Sequence, residues 1–122
     1  MAAVPLISII DDDESLRIAL VGLIRSSGYN ASGFASAEEF LQSGAASSSA
    51  CVITDIQMPG MSGIDLKIEL AACQCPVPVI MITARSEPGL EEKARASGAA
   101  CFLKKPFDAG ELIACIERAV KP

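Results

Sequence analysis

The stretch Leu6–Asp13, which reads LISIIDDD, is a short and mostly β-branched apolar run that stops at three acids. An apolar run of this length, bounded by polar residues, is typical of a buried β-strand. The apolar residues that follow it recur at helical spacing, and they are Leu16, Leu20, Leu23 and Ile24. Gly28 then suits the position just after a helix end. The N-terminal part of the chain is therefore interpreted as a strand followed by a helix.

The same alternation continues along the chain. The further predicted strands are 29–34, 50–54, 77–82 and 99–103. The further helices are predicted to begin at a capping box of Ser36 and Glu39, at Ser62, at Ser86, and at a cap formed by Asp108 with Glu111. Pro88 and Gly89 weaken the first turn of the helix 86–97. Five strand–helix units with right-handed crossovers predict a doubly wound (βα)5 α/β fold, in which helices cover both faces of a five-stranded parallel sheet.

Composition limits the classes of protein that fit. With 122 residues and 51% apolar side chains, the chain is large enough for one domain with a proper core. A net charge of −5 disfavours a nucleic-acid surface. No apolar run reaches the roughly 18 residues of a membrane span, and no secretory signal is evident, so we expect a cytoplasmic domain without membrane contact.

Cysteine and histidine content excludes further classes. The five cysteines are an odd number without a secretory signal, which favours reduced thiols. Cys51 and Cys101 stand in apolar runs, where a thiol acts as a small core residue. Cys73 and Cys75 form a C-x-C, a weak zinc pattern in a chain without histidine. The absence of histidine also excludes a histidine base, ligand or phosphohistidine within this chain.

Side chains suited to phosphate chemistry stand at the carboxyl ends of the predicted strands. They are Asp11, Asp12 and Asp13 after the first strand, Asp55 after the third, Thr83 after the fourth and Lys105 after the fifth. In a doubly wound sheet these ends share one edge, where ligands bind. Clustered carboxylates repel one another, and a hard divalent cation such as Mg²⁺ relieves the repulsion. Lys105 and Thr83 suit phosphate oxygens, so the pattern predicts phosphoryl transfer to Asp55.

Four segments carry these residues, and they are 10–14 (IDDDE), 54–63 (TDIQMPGMSG), 82–84 (ITA) and 104–107 (KKPF). Together they resemble the signature set of response-regulator receiver domains, the CheY-like superfamily of two-component signalling. In wording they are closest to the FixJ-type subgroup, whose members often join a receiver to a helix-turn-helix DNA-binding domain. The resemblance covers the whole chain, 1–122, as one receiver domain, and it implies the flavodoxin- and CheY-like strand order 2-1-3-4-5.

The resemblance implies a role for each residue that matches the pattern. The implied phosphoacceptor is Asp55, and the implied ligands for Mg²⁺ or Mn²⁺ are Asp11, Asp12, Asp55 and the backbone carbonyl of Gln57. The implied phosphate contacts are Thr83, Ala84 and Lys105. The aromatic switch residue would be Phe102, and Pro106 matches a turn proline that is frequently cis. Asp13 is expected to be a bystander or a helix cap.

The resemblance also implies partners. A sensor histidine kinase would supply the phosphoryl group. The chain would be either a stand-alone regulator or the N-terminal half of a longer one with a C-terminal DNA-binding output domain. The domain would assist its own phosphorylation and dephosphorylation without being a turnover enzyme, and it would bind neither nucleic acid nor membrane itself. Ile113 and Val120 form an apolar stripe outside the core stripe of the last helix, which suggests a phosphorylation-dependent homodimer through helices four and five.

Two other functions share this fold class. A flavodoxin-like electron carrier needs a Ser/Thr/Gly-rich phosphate loop after the first strand and aromatic residues around the flavin, whereas this chain has acids there and 4% aromatic residues. A Mg²⁺-dependent aspartyl phosphatase usually has an aspartate two residues after the nucleophile, where this chain has Gln57. Bound flavin would identify the first function, and steady phosphate release from simple esters the second.

Overall fold

A computed structural model describes residues 4–84 and 87–120, in which five strands and five α-helices alternate. The elements are β1 (Leu6–Ile10), α1 (Glu14–Ser26), β2 (Asn30–Phe34), α2 (Ala37–Ser43), a 3₁₀ turn (Ala45–Ser47), β3 (Cys51–Asp55), α3 (Gly63–Ala72), β4 (Val79–Thr83), α4 (Leu90–Ala96), β5 (Cys101–Lys104) and α5 (Ala109–Val120). The strands form one parallel sheet in the order β2-β1-β3-β4-β5. The predicted fold class and strand order are confirmed.

The sheet separates two apolar layers. On one face, Leu20 and Ile24 of α1 pack with Leu112 and Ile116 of α5. On the other face, α2, α3 and α4 contribute a second cluster that includes Phe40. Because side chains alternate along each strand, β3 and β4 feed both layers and are almost entirely buried, as the apolar run 77–82 predicted. No helix in residues 4–84 and 87–120 is long and apolar enough to span a membrane.

Helix caps explain where several elements begin. The side chain of Asp13 accepts the Leu16 N–H at 3.2 Å and so caps α1. Of the two roles predicted for Asp13, bystander or helix cap, the structure shows the helix cap. Ser36 Oγ accepts the Glu39 N–H at 3.1 Å, which is half of the capping box predicted there. The two-way box lies instead at the start of α3, between Ser62 and Asp65.

Three predicted boundaries are wrong by a few residues, each for a local reason. β4 begins at Val79 and not at residue 77, because Pro78 has no N–H to donate to a neighbouring strand. β5 begins at Cys101 and not at residue 99, because the Ala99 N–H bonds back to the Ala94 carbonyl at 3.2 Å. α4 begins only at Leu90, since Gly89 has a left-handed φ of 81°. The predicted start of this helix at Ser86 lies outside the described residues.

The junction between β3 and α3 is closely packed around Gly63. A Cβ atom at this position would lie 2.5 Å from the Asp55 carbonyl oxygen and 3.0 Å from Thr54 Cγ2. The Gly63 N–H donates to the Ile56 carbonyl at 3.0 Å, so the backbone cannot move away without losing this bond. The packing therefore couples the start of α3 to the end of the strand that carries Asp55.

We expect Gly63→Ala to lower the free energy of unfolding by about 2 kcal/mol, as is typical of overpacking against a rigid backbone. The matched control is Gly22→Ala on α1, where nothing lies within 4 Å of the new Cβ. The control is expected to raise stability by about 0.5–1 kcal/mol through helix propensity. Urea unfolding followed by circular dichroism measures both, and equal effects of the two changes would contradict the packing argument.

Candidate functional site

Three carboxylates meet at the carboxyl edge of the sheet. Asp11 and Asp12 follow β1, Asp55 ends β3, and one carboxylate oxygen from each lies within 4.8 Å of the others. The Asp11 residue is 2% exposed, whereas Asp12 is exposed to solvent. The sequence expected these residues to share one edge, and the structure brings them together.

Backbone and side-chain hydrogen bonds hold Asp11 in place. Its N–H donates to the Phe34 carbonyl at 3.1 Å, which extends the pairing of β1 with β2. Its Oδ1 accepts the Asp13 N–H at 2.9 Å. Arg17 on α1 donates through Nη1 to the Asp11 carbonyl at 2.7 Å. The loop after β1 is therefore fixed from both sides, and Arg17 is a supporting residue that the sequence did not reveal.

Lys105 is the cation of the cluster. Its Nζ lies 3.4 Å from Asp55 Oδ2 and 3.5 Å from Asp11 Oδ2. The Lys105 N–H donates to the Thr83 carbonyl at 2.8 Å, which fixes the backbone from which the side chain reaches the acids. The peptide bond between Lys105 and Pro106 is cis. One ammonium group is thus shared between two carboxylates from different strands.

The charge balance of the site is negative. Burial raises the pKa of the Asp55 carboxyl above its ordinary value, Asp11 and Asp12 raise it further, and Lys105 opposes them. The net direction is upward, so the ammonium group of Lys105 does not fully compensate for desolvation and the neighbouring acids. A bound cation would complete the compensation.

The donor set fits a hard divalent cation. Carboxylate and carbonyl oxygens at one water-accessible position are the ligands that Mg²⁺ takes in proteins. Asp12 and Gln57 both line an open cavity of about 610 Å³ between the β3–α3 loop and α4. Asp11, Asp12 and Asp55, with the Gln57 backbone, are the groups that could hold the cation.

Thr83 is engaged by a neighbour that the sequence did not predict. Thr83 is fully buried, and its Oγ1 donates to Gln57 Oε1 at 2.8 Å. The sequence assigned Gln57 a role only through its backbone carbonyl. Ala84, the other expected phosphate contact on this segment, follows Thr83 directly and is exposed. The side chain of Gln57 thus links the β3–α3 loop to the end of β4.

We expect the bond between Thr83 and Gln57 to contribute about 1 kcal/mol to folding stability. The test is a double-mutant cycle with Thr83→Val, Gln57→Met and the pair, measured by urea unfolding. A coupling energy of about 0.5–1.5 kcal/mol is expected, and strictly additive effects would mean that the bond contributes nothing.

The β3–α3 loop is tied to α2 by a second unforeseen contact. Glu38 accepts the Met61 N–H at 3.1 Å through Oε2. Gly60 turns the loop with a φ of 79°, and a Cβ there would lie 2.5 Å from the same Glu38 oxygen. The residues in contact are 23 positions apart, and no local pattern could have indicated this link.

Phe102 lies on the face of the sheet that carries α4. It pairs in register with Met81, and strand alternation places Thr83 on the same face as Met81. The Phe102 side chain is half-buried and lines an open cavity of about 300 Å³ with Pro88 and Leu90. Space for the ring therefore exists beside α4.

The apolar stripe predicted on the last helix is not a separate exposed surface. Ile113 and Val120 are half-buried and pack against the core cluster shared by α1, α5 and the sheet. That part of the prediction is wrong, because α5 buries a wider arc than the predicted core stripe, which consists of Leu112, Cys115, Ile116 and Ala119.

Comparison with known proteins adds independent evidence. A family model for the response regulator receiver domain matches residues 7–117. The chain is 37% identical over 115 residues to the transcriptional regulatory protein FixJ of Bradyrhizobium diazoefficiens, covering 94% of this chain and 56% of that protein. It is 37% identical over 119 residues to the C4-dicarboxylate transport transcriptional regulatory protein DctD of Rhizobium meliloti, covering 98% of this chain and 26% of that protein.

Solved structures agree with the sequence relatives. The chain superposes on the crystal structure of FixJ-N with a TM-score of 0.87 and 31% identity, covering 98% of this chain and 95% of that one. By contrast, it spans about half the length of FixJ and about a quarter of DctD. The similarity thus extends over nearly the whole chain and over only part of these two relatives.

Proposed function

Because the chain belongs to the response regulator receiver domain family, as its four sequence segments predicted, we propose that it accepts a phosphoryl group on Asp55 from the phosphohistidine of a sensor histidine kinase. The observation that carries the proposal is the shared ion pair of Lys105 with Asp11 and Asp55 at the carboxyl edge of the sheet. This family belongs to two-component signalling, and the proposed transfer is the input step of such a system.

In the proposed reaction, a carboxylate oxygen of Asp55 attacks the phosphorus atom of the donor. The phosphorus–nitrogen bond to the donor imidazole breaks, the imidazole keeps the electron pair, and an acyl phosphate forms on Asp55. Lys105, within 3.4 Å of Asp55 Oδ2, can neutralise charge on the arriving phosphoryl oxygens. Transfer of this kind depends mainly on positioning and charge neutralisation, which a half-buried and paired carboxylate provides.

A Mg²⁺ or Mn²⁺ ion is the proposed cofactor, held by Asp11, Asp12, Asp55 and the backbone carbonyl of Gln57. When bound, such an ion neutralises the acidic cluster and the phosphoryl oxygens. Asp11 is buried and hydrogen-bonded from Asp13, so it is preorganised, whereas the exposed Asp12 is free to adjust to a ligand. This difference supports a site with one rigid and one adaptable carboxylate.

Thr83 is the proposed switch hydroxyl. To donate to a phosphoryl oxygen on Asp55, its Oγ1 must give up the bond to Gln57 Oε1. The exchange leaves Gln57 to find another partner and allows Phe102 to turn toward the space beside Thr83. We name the surface formed by α4, β5 and α5 the output face, and propose that this exchange changes its shape.

The proposal includes a longer protein. FixJ and DctD are named transcriptional regulatory proteins, and both extend beyond the region that matches this chain. We therefore propose that 1–122 is the receiver of a regulator with a C-terminal DNA-binding domain, and that the output face controls that domain or a partner. The receiver itself would assist its own phosphorylation and dephosphorylation without other turnover.

The direct experiment maps the modified residue. The chain is incubated with acetyl phosphate and Mg²⁺, reduced with borohydride to convert an aspartyl phosphate to a stable product, and digested for peptide mass spectrometry. One modified position is expected, at Asp55. Modification elsewhere, or steady release of phosphate from simple esters without an acyl phosphate, would contradict the proposal and favour a phosphatase.

Hydrogen exchange tests the output face. With beryllium fluoride as a phosphoryl mimic, we expect altered amide exchange in 90–96, 101–104 and 109–120. α4 should respond most, because it is only seven residues long and has no side-chain cap. Changes confined to the loops 11–13 and 55–62 would contradict the assignment of the output face.

A further inference from the structure

Two thiols and a guanidinium group form a cluster away from the acidic edge. Arg118 on α5 places Nη2 at 3.5 Å from Cys115 Sγ and at 3.5 Å from Cys101 Sγ. The two sulfur atoms therefore lie within 7.0 Å of each other, because both contact the same nitrogen atom of Arg118. One of them stands on β5 and the other on α5, so the pair spans the joint between these two elements.

Solvent reaches one thiol of this pair directly. Cys101 is half-buried, whereas Cys115 is 4% exposed, and both cysteines line an open cavity of about 730 Å³ with Phe102, Ala114 and Arg118. The cavity opens on the output face. A small polar oxidant therefore has a route to the Cys101 sulfur without unfolding of the domain, and Cys115 can then act as the second thiol.

The other thiols differ in environment and serve as internal comparisons. Cys51 on β3 is fully buried in the same core cluster, and burial raises its pKa to about 12. Cys73 is exposed at the end of α3, where its sulfur contacts Glu69. Of the described thiols, Cys101 and Cys115 are the two that share a cation and an open cavity.

We propose that Cys101 and Cys115 form a reversible intramolecular disulfide when the protein meets a hydroperoxide, which gives the output face a second, redox input. Its effect on signalling rests on the function proposed above, whereas the covalent step does not. A buried thiol that acted only as a core residue would need neither a paired sulfur nor a route to solvent.

The chemistry balances with hydrogen peroxide as oxidant. The thiolate of one cysteine attacks a peroxide oxygen, the oxygen–oxygen bond breaks, and a sulfenic acid forms with release of water after protonation. The second thiol then attacks the sulfenic sulfur, the sulfur–sulfur bond forms, and a second water leaves. The two thiols lose two electrons and two protons in total, and one peroxide becomes two waters.

The environment of Cys101 affects the rate of this reaction. Burial raises the pKa of the Cys101 thiol to about 11, Cys115 raises it further, and Arg118 opposes the rise. Because the thiolate is the reactive form, Cys101 reacts slowly near neutral pH. The site therefore fits sustained oxidative conditions and not a rapid peroxide sensor.

A bond between these residues would change the output face. A disulfide brings the two sulfur atoms to about 2.05 Å. Rotation of the two side chains, a shift of α5 toward β5, or both together must close the gap next to Phe102. A covalent link also restricts the relative movement of β5 and α5 that the proposed switch requires.

The experiment uses the unphosphorylated chain treated with hydrogen peroxide for several hours, then denatured and alkylated. Two of the five thiols should become protected, reductant should restore them, and peptide mapping should join Cys101 to Cys115. Cys115→Ser should abolish the link, whereas the matched control Cys73→Ser should keep it. Asp55→Asn should form the same disulfide, which separates this proposal from the phosphorylation proposal.

Several results would overturn the inference. Five alkylatable thiols after treatment, a bond that maps to Cys73 and Cys75, a dimer linked between chains, or over-oxidation of Cys101 without a disulfide would each exclude the intramolecular pair. If the disulfide forms but amide exchange in 101–104 and 109–120 is unchanged, the redox input to the output face is wrong.

Discussion

Replacing Asp55 with asparagine is expected to abolish phosphorylation by acetyl phosphate or by a sensor kinase. The amide lacks the negative oxygen that attacks phosphorus. Asp11 also pairs with Lys105, but it is buried and already accepts the Asp13 N–H, so it is a poor substitute for Asp55. The measurement is intact-protein mass spectrometry after incubation with Mg²⁺ and acetyl phosphate. Modification of the variant to the wild-type extent would show that Asp55 is not the acceptor.

The same substitution should preserve the fold and increase its stability. The pKa of Asp55 is raised in the folded protein, chiefly by burial. A raised carboxyl pKa means that ionisation costs folding stability once the pH exceeds the unfolded value, and the cost is fully present above the folded value. Removing the charge therefore raises the free energy of unfolding near neutral pH, and the gain fades as the pH falls toward the ordinary carboxyl range.

Asp13→Asn is the matched control for this experiment. Asp13 follows the two site acids Asp11 and Asp12 in the chain, but its side chain caps α1 by accepting the Leu16 N–H. Asparagine caps a helix about as well as aspartate, so stability should change little. The control should be phosphorylated like the wild type. A strong loss of phosphorylation in Asp13→Asn would mean that charge in the loop, and not Asp55 alone, determines acceptance.

The fold could be predicted because its determinants are local and repeated. Apolar runs such as 77–82 reveal strands that are covered on both faces, and helical spacing with a following glycine reveals α1. The register of a parallel sheet then brings the strand ends to one edge, so Asp11, Asp55 and Lys105 could be expected to lie together. The residue types at that edge carried the chemistry of the site.

Contacts between distant residues could not be predicted in the same way. Glu38 and Met61 meet because α2 packs beside the β3–α3 loop, and nothing in either segment specifies the partner. The side chain of Gln57 turned to Thr83, although the sequence suggested a role only for its backbone. Cys101 looked like an ordinary core residue, because its neighbour on α5 becomes visible only when the helix is packed on the sheet.

Predicted boundaries were wrong where backbone conformation, and not the side-chain pattern, determines the start of an element. The sequence predicted one helix over 86–97, but Gly89 has a left-handed φ, and α4 begins only at Leu90. The helix that results has seven residues and a glycine N-cap without a side-chain bond, although Glu91 in its first turn pairs with Arg95 at 2.8 Å. A helix this short has little stability of its own, which is consistent with its proposed role in switching.

Magnesium is expected to stabilise the folded chain substantially. The three carboxylates lie within 4.8 Å of one another, and one Lys105 ammonium group neutralises only part of their charge. A cation that binds the native state alone raises the free energy of unfolding by RT ln(1 + [L]/Kd), which is about 2.7 kcal/mol at 100 times Kd. Because the chain has no tryptophan, urea unfolding is best followed by circular dichroism, with and without the metal.

The double variant Asp12→Ala, Asp55→Ala should lose most of this gain, because it removes two of the three carboxylates. Without metal, the free energy of unfolding of this variant should be at least that of the wild type. The repulsion toward Asp11 is relieved, and Lys105 retains Asp11 as a partner. Sodium chloride at matched ionic strength separates binding from general screening, which acts on exposed charges in both proteins. Equal stabilisation of wild type and double variant by Mg²⁺ would mean that the ion binds elsewhere. The three carboxylates would then not be the metal site.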